Sequence, residues 1–406
     1  MAAPISAGDT GWILISSAMV LLMTPGLAFF YGGMVRKKNV LSTLNLSFIM
    51  MGVIGVQWVL YGYSLAFGGN VAGLFGDLSF VGFSGVTGAP GPYADKIPHL
   101  AFAAFQMMFA VITPALITGA FVERVRFKTF LVFSLIWATV VYDPLCHWVW
   151  GDGGWMGAMG ALDFAGGTVV HIAAGFSALA FALAIGPRKG FPKAPMEPHN
   201  IPYTVLGAGL LWFGWFGFNA GSSLAADGLA SYAFVNTNTA AAAAAVSWML
   251  LSWGDAGKPS VLGIATGAVV GLVAITPAAG FVTPLGAIAI GAVAAPISYY
   301  AIRFRQKRLL DESLDVWACH GMAGAWGALA TGLFAAPEVN GAAGLFHGNP
   351  GQLGIQAVSV AVTICFVFLV TFVLTKVLGA TMGLRVSQLE EEVGLDLSQH
   401  GERAYT

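Results

Sequence analysis

The chain has 406 residues, of which 57% are hydrophobic and only 9% are charged, and its formal net charge is −1. Soluble globular proteins carry about 25% charged residues, so this composition excludes a soluble multidomain protein and predicts a polytopic membrane protein. A near-neutral charge also argues against a nucleic-acid-binding role that depends on a basic surface.

Apolar segments long enough to cross a membrane recur along the whole chain. A spanning helix needs about 20 mostly apolar residues, and the sequence predicts eleven such segments, numbered here as spans one to eleven. They lie near residues 10–31, 40–67, 98–121, 127–149, 163–186, 200–221, 229–253, 260–276, 282–302, 312–336 and 352–378. The predicted fold class is therefore an all-α polytopic membrane protein with eleven transmembrane helices.

The first apolar run, residues 11–31, follows an N-terminal segment that has no basic residue. A secretory signal peptide carries a positive n-region, so we expect span one to be a retained transmembrane helix. The three cysteines, Cys146, Cys319 and Cys365, lie in apolar segments without a CxxC pair. Their spacing predicts neither a disulfide framework nor a zinc site, and we expect no metal and no cofactor.

Basic residues are distributed unevenly between the two sides of the predicted spans. Every Lys and Arg except Lys96 follows an odd-numbered span or lies at the C-terminal end. The positive-inside rule then places the N-terminus outside and the C-terminus in the cytoplasm. Residues 1–382 are predicted to form the membrane domain. Residues 383–406 are predicted to form a polar, acidic cytoplasmic tail that is mobile unless it docks on the cytoplasmic loops.

Two spans carry an Asp followed by a His in an apolar setting. Span five contains Asp163 and His171, and span ten contains Asp315 and His320, at spacings of eight and five residues. Five is odd, so two five-helix halves would be inverted, as in many transporters whose site lies near the midplane. His171 lies about 12 Å past Asp163, and His320 lies about as far past Glu312, where span ten begins. The sequence predicts that the two histidines meet near the midplane, with span eleven outside the repeat.

Histidine inside a membrane is costly and usually functional, although a structural hydrogen bond between helices would also explain it. A neutral imidazole donates at one nitrogen and accepts at the other, so two in contact would form a polar line through an apolar pore. Asp163 has two interpretations. It lies where span five begins and could cap the helix, or its carboxylate could attract cations to the outer end of a pore.

One face of span six carries aromatic residues together with a leucine and a serine, and further aromatic residues lie near the outer ends of spans three and four. The residues concerned are Leu211, Trp215, Phe218 and Ser222, then Phe102, Phe105 and Phe109, and finally Trp150. Packing alone could explain such a face, but aromatic rings also hold small cations, at about 0.5–2 kcal/mol. We find no carboxylate in the middle of a span, so a cation would be poorly supported deeper in the membrane. A cation that can shed a proton resolves this conflict, and ammonium is one.

The sequence resembles the ammonium transporter (Amt/MEP/Rh) family over nearly its whole length, and the prokaryotic Amt branch most of all. The matching segments are TPGLAFFYGG (24–33), AFQMMFA (104–110), ERVRF (123–127), GALDFAGGTVVHI (160–172), GWFGFNAGS (214–222), AFVNT (233–237), ITPAAGFV (275–282), DVWACHG (315–321) and GLDLSQHGERAY (394–405). The resemblance implies transport of ammonium or ammonia, with methylammonium as a further substrate, across the cell membrane. It implies a homotrimer in which each subunit has its own pore, and a tail that helps to dock PII-type regulators.

The resemblance also implies roles for individual residues near the outer end of the pore. Phe109, Trp150 and Ser222 would form an outer recruitment site that binds ammonium by cation–π contact. Phe109 and Phe218 would stack beneath it as a gate.

Deeper in the pore, the resemblance implies that His171 and His320 are paired histidines, with Trp215 lining the path beside them. Asp163 would support recruitment and deprotonation of ammonium. One departure from the family pattern is the segment YDPLCHW (142–148), which adds an Asp and a Pro before Trp150, near the expected outer vestibule.

Two other functions share some of these residues. A haem-binding electron-transfer protein could use His171 and His320 as axial ligands, since histidine commonly ligates haem iron. An ammonium sensor that signals through its tail would share the recruitment site. The tail of residues 383–406 is short for an appended signalling domain, and ammonium transport by a non-enzymatic membrane protein is the interpretation favoured by the sequence.

Overall fold

The computed structural model describes residues 5–405. Each segment that the sequence assigns to a span is helical over most of its length, and some helices extend beyond the predicted bounds. Their bounds are Ala7–Met34, Val40–Gln57, Tyr63–Phe67, His99–Ile117, Phe127–Trp137, Asp143–Trp150, Ala173–Ile185, Ile201–Ala220, Gly228–Ala256, Val261–Ile275, Pro284–Lys307, Ala323–Phe334 and Pro350–Thr381. The protein is therefore mainly α-helical, as its composition indicates.

Four π turns interrupt or begin these helices, at Trp58–Gly62, Ala138–Tyr142, Gly167–Ile172 and Trp317–Met322. A π turn holds an extra residue in a helical turn and is frequent at functional sites. Two of them contain His171 and His320. The other two, in spans two and four, are joined by a hydrogen bond of 3.2 Å between the Tyr61 and Thr139 hydroxyls.

Eight helices in residues 5–405 are long and apolar enough to cross a membrane. This supports an all-α, multi-pass membrane protein. The helices of spans seven, eight and ten do not reach the same limits of length and hydropathy. The number of eleven spans, and the sides on which the termini lie, therefore stay predictions.

Two short β-hairpins lie in the Gly-rich connection between spans two and three, which the sequence assigns to no transmembrane helix. One pairs Asn70–Val71 with Phe75–Gly76, and the other pairs Pro90–Gly91 with Ala94–Pro98. The second hairpin also receives the start of the chain, because the Ser6 amide donates to the Lys96 carbonyl at 2.8 Å. We call the end of the helix bundle that carries these hairpins the hairpin side.

Spans five and ten cross where Gly175 meets Gly321. A Cβ atom on Gly175 would overlap the Gly321 backbone, and one on Gly324 would lie 3.0 Å from the Cβ of His171. Small residues let helices approach closely in membranes, where apolar burial gives no net attraction between them. The crossing therefore requires glycine, and it brings the helices of His171 and His320 together.

Gly175→Ala is expected to destabilise the protein by about 1–3 kcal/mol, because the added methyl overpacks a backbone contact. Gly209→Ala is the matched control, since a Cβ at this helical position meets nothing within 4 Å. The control should be neutral or slightly stabilising, because alanine is the better helix former. Thermal unfolding in detergent measures both, and equal midpoints for the two variants would contradict the role of the crossing.

The C-terminal tail docks on the bundle. Its two short helices, Gln388–Val393 and Leu395–His400, lie against the start of span two. Lys38 Nζ donates to the carbonyl of Glu391 at 2.8 Å, and the Asp396 carboxylate accepts from the Ser42 amide at 2.8 Å. The tail is thus ordered by docking, which was the alternative to a mobile segment. We call this end of the bundle the tail side.

A buried ion network lies on the tail side and joins the two halves of the chain. Arg188 bonds Glu123 at 2.6 Å and Asp311 at 2.7 Å, and Glu123 also accepts from Arg36 Nε at 2.8 Å. Burial alone would raise the pKa of the Glu123 carboxyl, but Arg188 and Arg36 together hold it below its usual value. The pKa of Asp311 is likewise lowered, because its bonds to Arg188 outweigh the effect of burial.

Asp311→Asn should destabilise the transmembrane bundle at neutral pH by about 3 kcal/mol, because it removes one partner of a buried ion pair. A carboxyl with a lowered folded-state pKa contributes stability above its unfolded-state pKa of about 4. That contribution is lost as the pH falls through the lower folded-state value. The difference in unfolding midpoint between wild type and variant should therefore shrink on acidification. A difference that stays constant down to strongly acidic pH would be inconsistent with this network.

Candidate functional site

A cavity of about 320 Å³ lies beside the second hairpin, whose Tyr93 lines it. Phe109, Trp150 and Ser222 also line it, so the structure brings together the three residues that the sequence assigned to cation recruitment. No charged side chain lines the cavity within residues 5–405. Any cation held there would be held by ring faces, hydroxyl oxygens and the amide oxygen of Gln106, which also lines the cavity and has no hydrogen-bond partner among the described residues.

The polar groups of this cavity are oriented by the backbone. Trp150 Nε1 donates to the Asp163 carbonyl at 2.9 Å, which fixes the indole. Ser222 Oγ donates to the Phe218 carbonyl at 2.9 Å, so the lone pairs of this hydroxyl stay free to accept from a bound cation. The rings of Phe109 and Trp150 lie edge to face, with centroids 6.0 Å apart.

Phe109 lines this cavity, and Phe218 packs against Phe109 and lines the next space. Their ring centroids are 4.2 Å apart at an interplanar angle of 37°, and both side chains are buried. This contact matches the pairing that the sequence assigned to a gate. In this conformation the two rings separate the cavity on the hairpin side from the space below.

Beneath the rings lies a narrow cavity of about 10 Å³ that both histidines line, which is the space that about one water-sized molecule needs. The Nδ1 atoms of His171 and His320 are 3.3 Å apart, within hydrogen-bond distance. Only one of the two nitrogens can donate in such a contact. The Nε2 atom of His171 is buried and has no hydrogen-bond partner among the described residues, so it is available to a molecule in the cavity.

Trp215 also lines the narrow cavity and holds His171 in place. The indole stacks on the His171 ring with centroids 5.3 Å apart and an interplanar angle of 24°. Its Nε1 donates to Thr276 Oγ1 at 2.8 Å, which fixes the indole in turn. The other walls of this cavity are aliphatic or aromatic side chains.

A third cavity, of about 310 Å³, continues on the far side of the histidines. His320 lines both this space and the narrow cavity, and Tyr31, Asp315 and Cys319 lie in the wall of the larger one. Apart from Asp163, the sequence-predicted site residues thus lie along one path of two wider spaces joined by a narrow one. Ser222 lines the first wide space, and His320 lies where the narrow space meets the second.

Asp163 lies behind this path and caps the helix of span five. Its carboxylate accepts from the backbone amides of Gly166, Gly167 and Thr168 at 2.8, 2.6 and 2.8 Å, and from the Thr168 hydroxyl. The helix therefore begins at Gly167 and not at residue 163, after Gly166 turns the backbone at φ 111°. The capping interpretation of Asp163 describes this geometry, and the carbonyl of the same residue anchors Trp150.

The partner that the sequence assigned to Asp163 in the second half is wrong. Glu312, not Asp315, accepts from the amides four and five residues ahead, those of Val316 at 2.8 Å and Trp317 at 3.2 Å. Glu312 precedes His320 by eight residues, the same spacing as in span five. Asp315 instead forms an ion pair of 2.7 Å with Arg305. The equal spacing of eight residues before each histidine would have identified Glu312. The sequence comparison instead chose Asp315, because it is the same residue type as Asp163.

Comparison with known proteins shows the family to which the chain belongs. A model described as Ammonium Transporter Family matches residues 11–405. The chain belongs to the ammonium transporter family. It is 53% identical over 401 residues to ammonium transporter Amt1 of Archaeoglobus fulgidus, covering 99% of this chain and 100% of that one. It is 52% identical to the ammonium transporter of Bacillus subtilis, covering 98% of each chain.

Solved structures agree with this assignment. The crystal structure of Candida albicans Mep2 is 39% identical, with a TM-score of 0.91, and the match covers 99% of this chain and 91% of that one. A structure titled Sensor Amt Protein is 31% identical, with a TM-score of 0.89 and coverage of 97% and 98%. The transporter is thus more similar to proteins named as transporters, so a sensor role is not favoured. Proteins of this family are ammonium transporters, so family membership argues against the haem-binding electron-transfer alternative and against an enzyme.

Asp163→Ala should destabilise the transporter by about 1–2 kcal/mol through loss of the cap. It should also weaken the apparent affinity for ammonium, because the anchor of Trp150 becomes loose. Glu312→Ala is the matched control, since it removes a similar cap far from the recruitment cavity. Unfolding midpoints and concentration-dependent uptake test both, and a raised half-saturation concentration in both variants alike would refute a specific role of Asp163 in positioning Trp150.

Proposed function

We propose that the transporter recruits ammonium on the hairpin side, returns its proton to solvent water on that side near Phe109 and Phe218, and conducts ammonia past His171 and His320. The observation that carries this proposal is the order of the cavities along one path. An uncharged aromatic cavity is followed by a closed pair of rings and then by a narrow space with an unpartnered imidazole nitrogen.

The aromatic cavity suits the charged form of the substrate. Cation–π attraction is worth about 0.5–2 kcal/mol and needs no carboxylate. The Ser222 hydroxyl adds an acceptor for one N–H of ammonium. Asp163 acts through Trp150 in this scheme, because its own carboxylate oxygens are already occupied by donors of the helix start.

The narrow cavity suits the neutral form. Moving an ion from water into a low-dielectric interior costs several kcal/mol even after relaxation, and no charged group lines this space in the described part of the chain. Ammonia carries no such cost and still needs a hydrogen-bond partner. The free Nε2 of His171 supplies one, and the contact between the Nδ1 atoms orients both rings.

We also propose the eleven-span arrangement, with the hairpin side outside and the tail side in the cytoplasm of a cell with this protein in its plasma membrane. The distribution of basic residues supports this orientation, since Lys96 alone lies by the hairpins while Arg36, Arg188 and Arg385 lie near the docked tail. The equal spacing from Asp163 to His171 and from Glu312 to His320 supports inverted halves.

Two partners belong to the same proposal. A homotrimer is supported by membership of the ammonium transporter family. A PII-type regulator is supported by the tail, which docks in a defined position beside Lys38 and so offers a protein surface that such a regulator could contact.

Charge movement and ammonia flux together test the conduction path. Purified transporter in proteoliposomes should show ammonia flux after an ammonium jump, and the current on a solid-supported membrane is recorded in parallel to show whether a proton follows the ammonia. His171→Ala should lower the flux about tenfold, since one hydrogen bond of about 1–1.5 kcal/mol is lost in the narrow cavity.

Ser222→Ala is the informative comparison for the His171 variant. It should raise the concentration needed for half-maximal flux and leave the maximal flux close to that of wild type. Wild-type flux no greater than that of empty liposomes would overturn transport itself. Unchanged flux and current in His171→Ala would overturn the role given to this histidine.

A further inference from the structure

A carboxyl group that the conduction path does not use lies inside the helix bundle. Asp143 begins the helix Asp143–Trp150 of span four, and its side chain is fully buried. The sequence placed this residue near an outer vestibule and identified no carboxylate in the middle of a span. In the structure Asp143 does not line the aromatic cavity, and its side chain packs against span two. A buried ionisable residue in a membrane segment is expensive and needs an explanation.

The hydrogen bonding of Asp143 is incomplete if the group is a carboxylate. Gln57 Nε2 donates to its Oδ2 at 2.7 Å, and this is the single hydrogen bond of the Asp143 side chain among residues 5–405. Oδ1 of Asp143 and Oε1 of Gln57 are both buried without a donor. Two unsatisfied acceptors on one contacting pair are unusual, since buried polar atoms are nearly always hydrogen-bonded.

No positive charge compensates for a negative Asp143. None of the ion pairs in the described part of the chain includes it. The titratable groups beside it are the Tyr142 hydroxyl and the Cys146 thiol of its own helix. His147, one turn further on, directs its ring nitrogens to the Ala66 carbonyl and the Asn70 amide oxygen.

One proton satisfies both orphan oxygens. A proton on Asp143 Oδ1 turns the carboxylate into a donor, and Gln57 Oε1 is the free acceptor on the residue to which Asp143 already bonds. We propose that Asp143 is retained as a neutral carboxylic acid in a cyclic acid–amide pair with Gln57. The carboxylic O–H donates to the amide oxygen, and the amide N–H donates to the carboxyl oxygen.

The backbone around Gln57 is shaped for this pair. Gly62 ends the π turn that follows Gln57, and a Cβ on Gly62 would lie 2.6 Å from Gln57 Oε1 and 2.7 Å from Nε2. The absent side chain thus leaves room for the amide head. The matching π turn of span four ends directly before Asp143, and Tyr61 and Thr139 join the two turns.

The pair has a consequence for the transport site. Trp150 lies seven residues after Asp143 in the same helix, which is two turns along nearly the same face. The acid–amide pair therefore ties the segment that carries Trp150 to span two. Asp143 is a positioning residue in this scheme. This consequence rests on the proposed recruitment role of Trp150, whereas the protonation state of Asp143 does not.

Infrared difference spectroscopy tests the protonation state directly. We expect the difference between wild type and Asp143→Asn, reconstituted in lipid at neutral pH, to show the carbonyl band of a protonated carboxylic acid, shifted in D₂O. Asn can pair with Gln57 as amide with amide, so this variant should stay folded with an unfolding midpoint near that of wild type. A carboxylate band in place of the acid band would overturn the proposal.

A swap of the two side chains provides the rescue. Gln57→Leu leaves the acid without a partner and should lower the unfolding midpoint, whereas Gln57→Glu combined with Asp143→Asn rebuilds the acid–amide pair. We expect the double variant to regain both the acid band and the stability. Failure of the swap to recover more stability than Gln57→Leu would contradict a cyclic pair.

The same variants test the positioning role of Asp143 separately from its protonation state and from the proposed conduction path. Gln57→Leu should raise the ammonium concentration for half-maximal transport more than it lowers maximal flux, and the swap should restore it. An acid band without any such change in half-saturation would overturn the positioning role of Asp143 and keep its protonation. Absence of the acid band would overturn the proposal on Asp143 and leave the proposed conduction path untouched.

Discussion

The centre of this transporter depends on one backbone contact, the crossing of spans five and ten at Gly175 and Gly321. His171 lies one turn before the first glycine, and His320 directly precedes the second. Because no side chain separates the helices there, the two imidazoles come within hydrogen-bond distance. Apolar burial cannot hold helices together in a lipid environment. Close packing and internal hydrogen bonds must do so, and glycine makes both possible at the point where the path is narrowest.

The positions of the charged side chains also follow from the lipid environment. Asp163 and Glu312 accept from backbone amides that no carbonyl of the preceding turn could satisfy, so a helix can begin within the bundle. Arg188 and Arg36 neutralise Glu123 and Asp311 on the tail side. No charged group lines the narrow cavity among the described residues. An ion must therefore give up its charge to pass, whereas a neutral hydrogen-bonding molecule meets an imidazole.

The parts that the sequence predicted are those that depend on local pattern. Hydropathy located the helices, and helical spacing placed Trp215, Phe218 and Ser222 on one face, where the structure also has them. The position of Asp163 at a helix start predicted its capping bonds. The failures concern pairings between distant segments. Glu312 was not recognised as the counterpart of Asp163 because Asp315 matched by residue type. The contact of Asp143 with Gln57 was not predicted because nothing local to span four indicates it. The hairpins escaped detection because Gly-rich sequence carries little strand pattern.

These constraints also bear on how the path opens. Arg188 ties Glu123 of the first half to Asp311 of the second, and the glycine crossing ties the same halves at their centre. A rocking motion of one half against the other would have to break a buried ion network and a backbone contact together. The barrier between the wide cavities, by contrast, consists of the side chains of Phe109 and Phe218 above the two imidazoles. Neither ring takes part in the ion network or in the glycine crossing, so the barrier in the path is separate from the contacts that tie the two halves together.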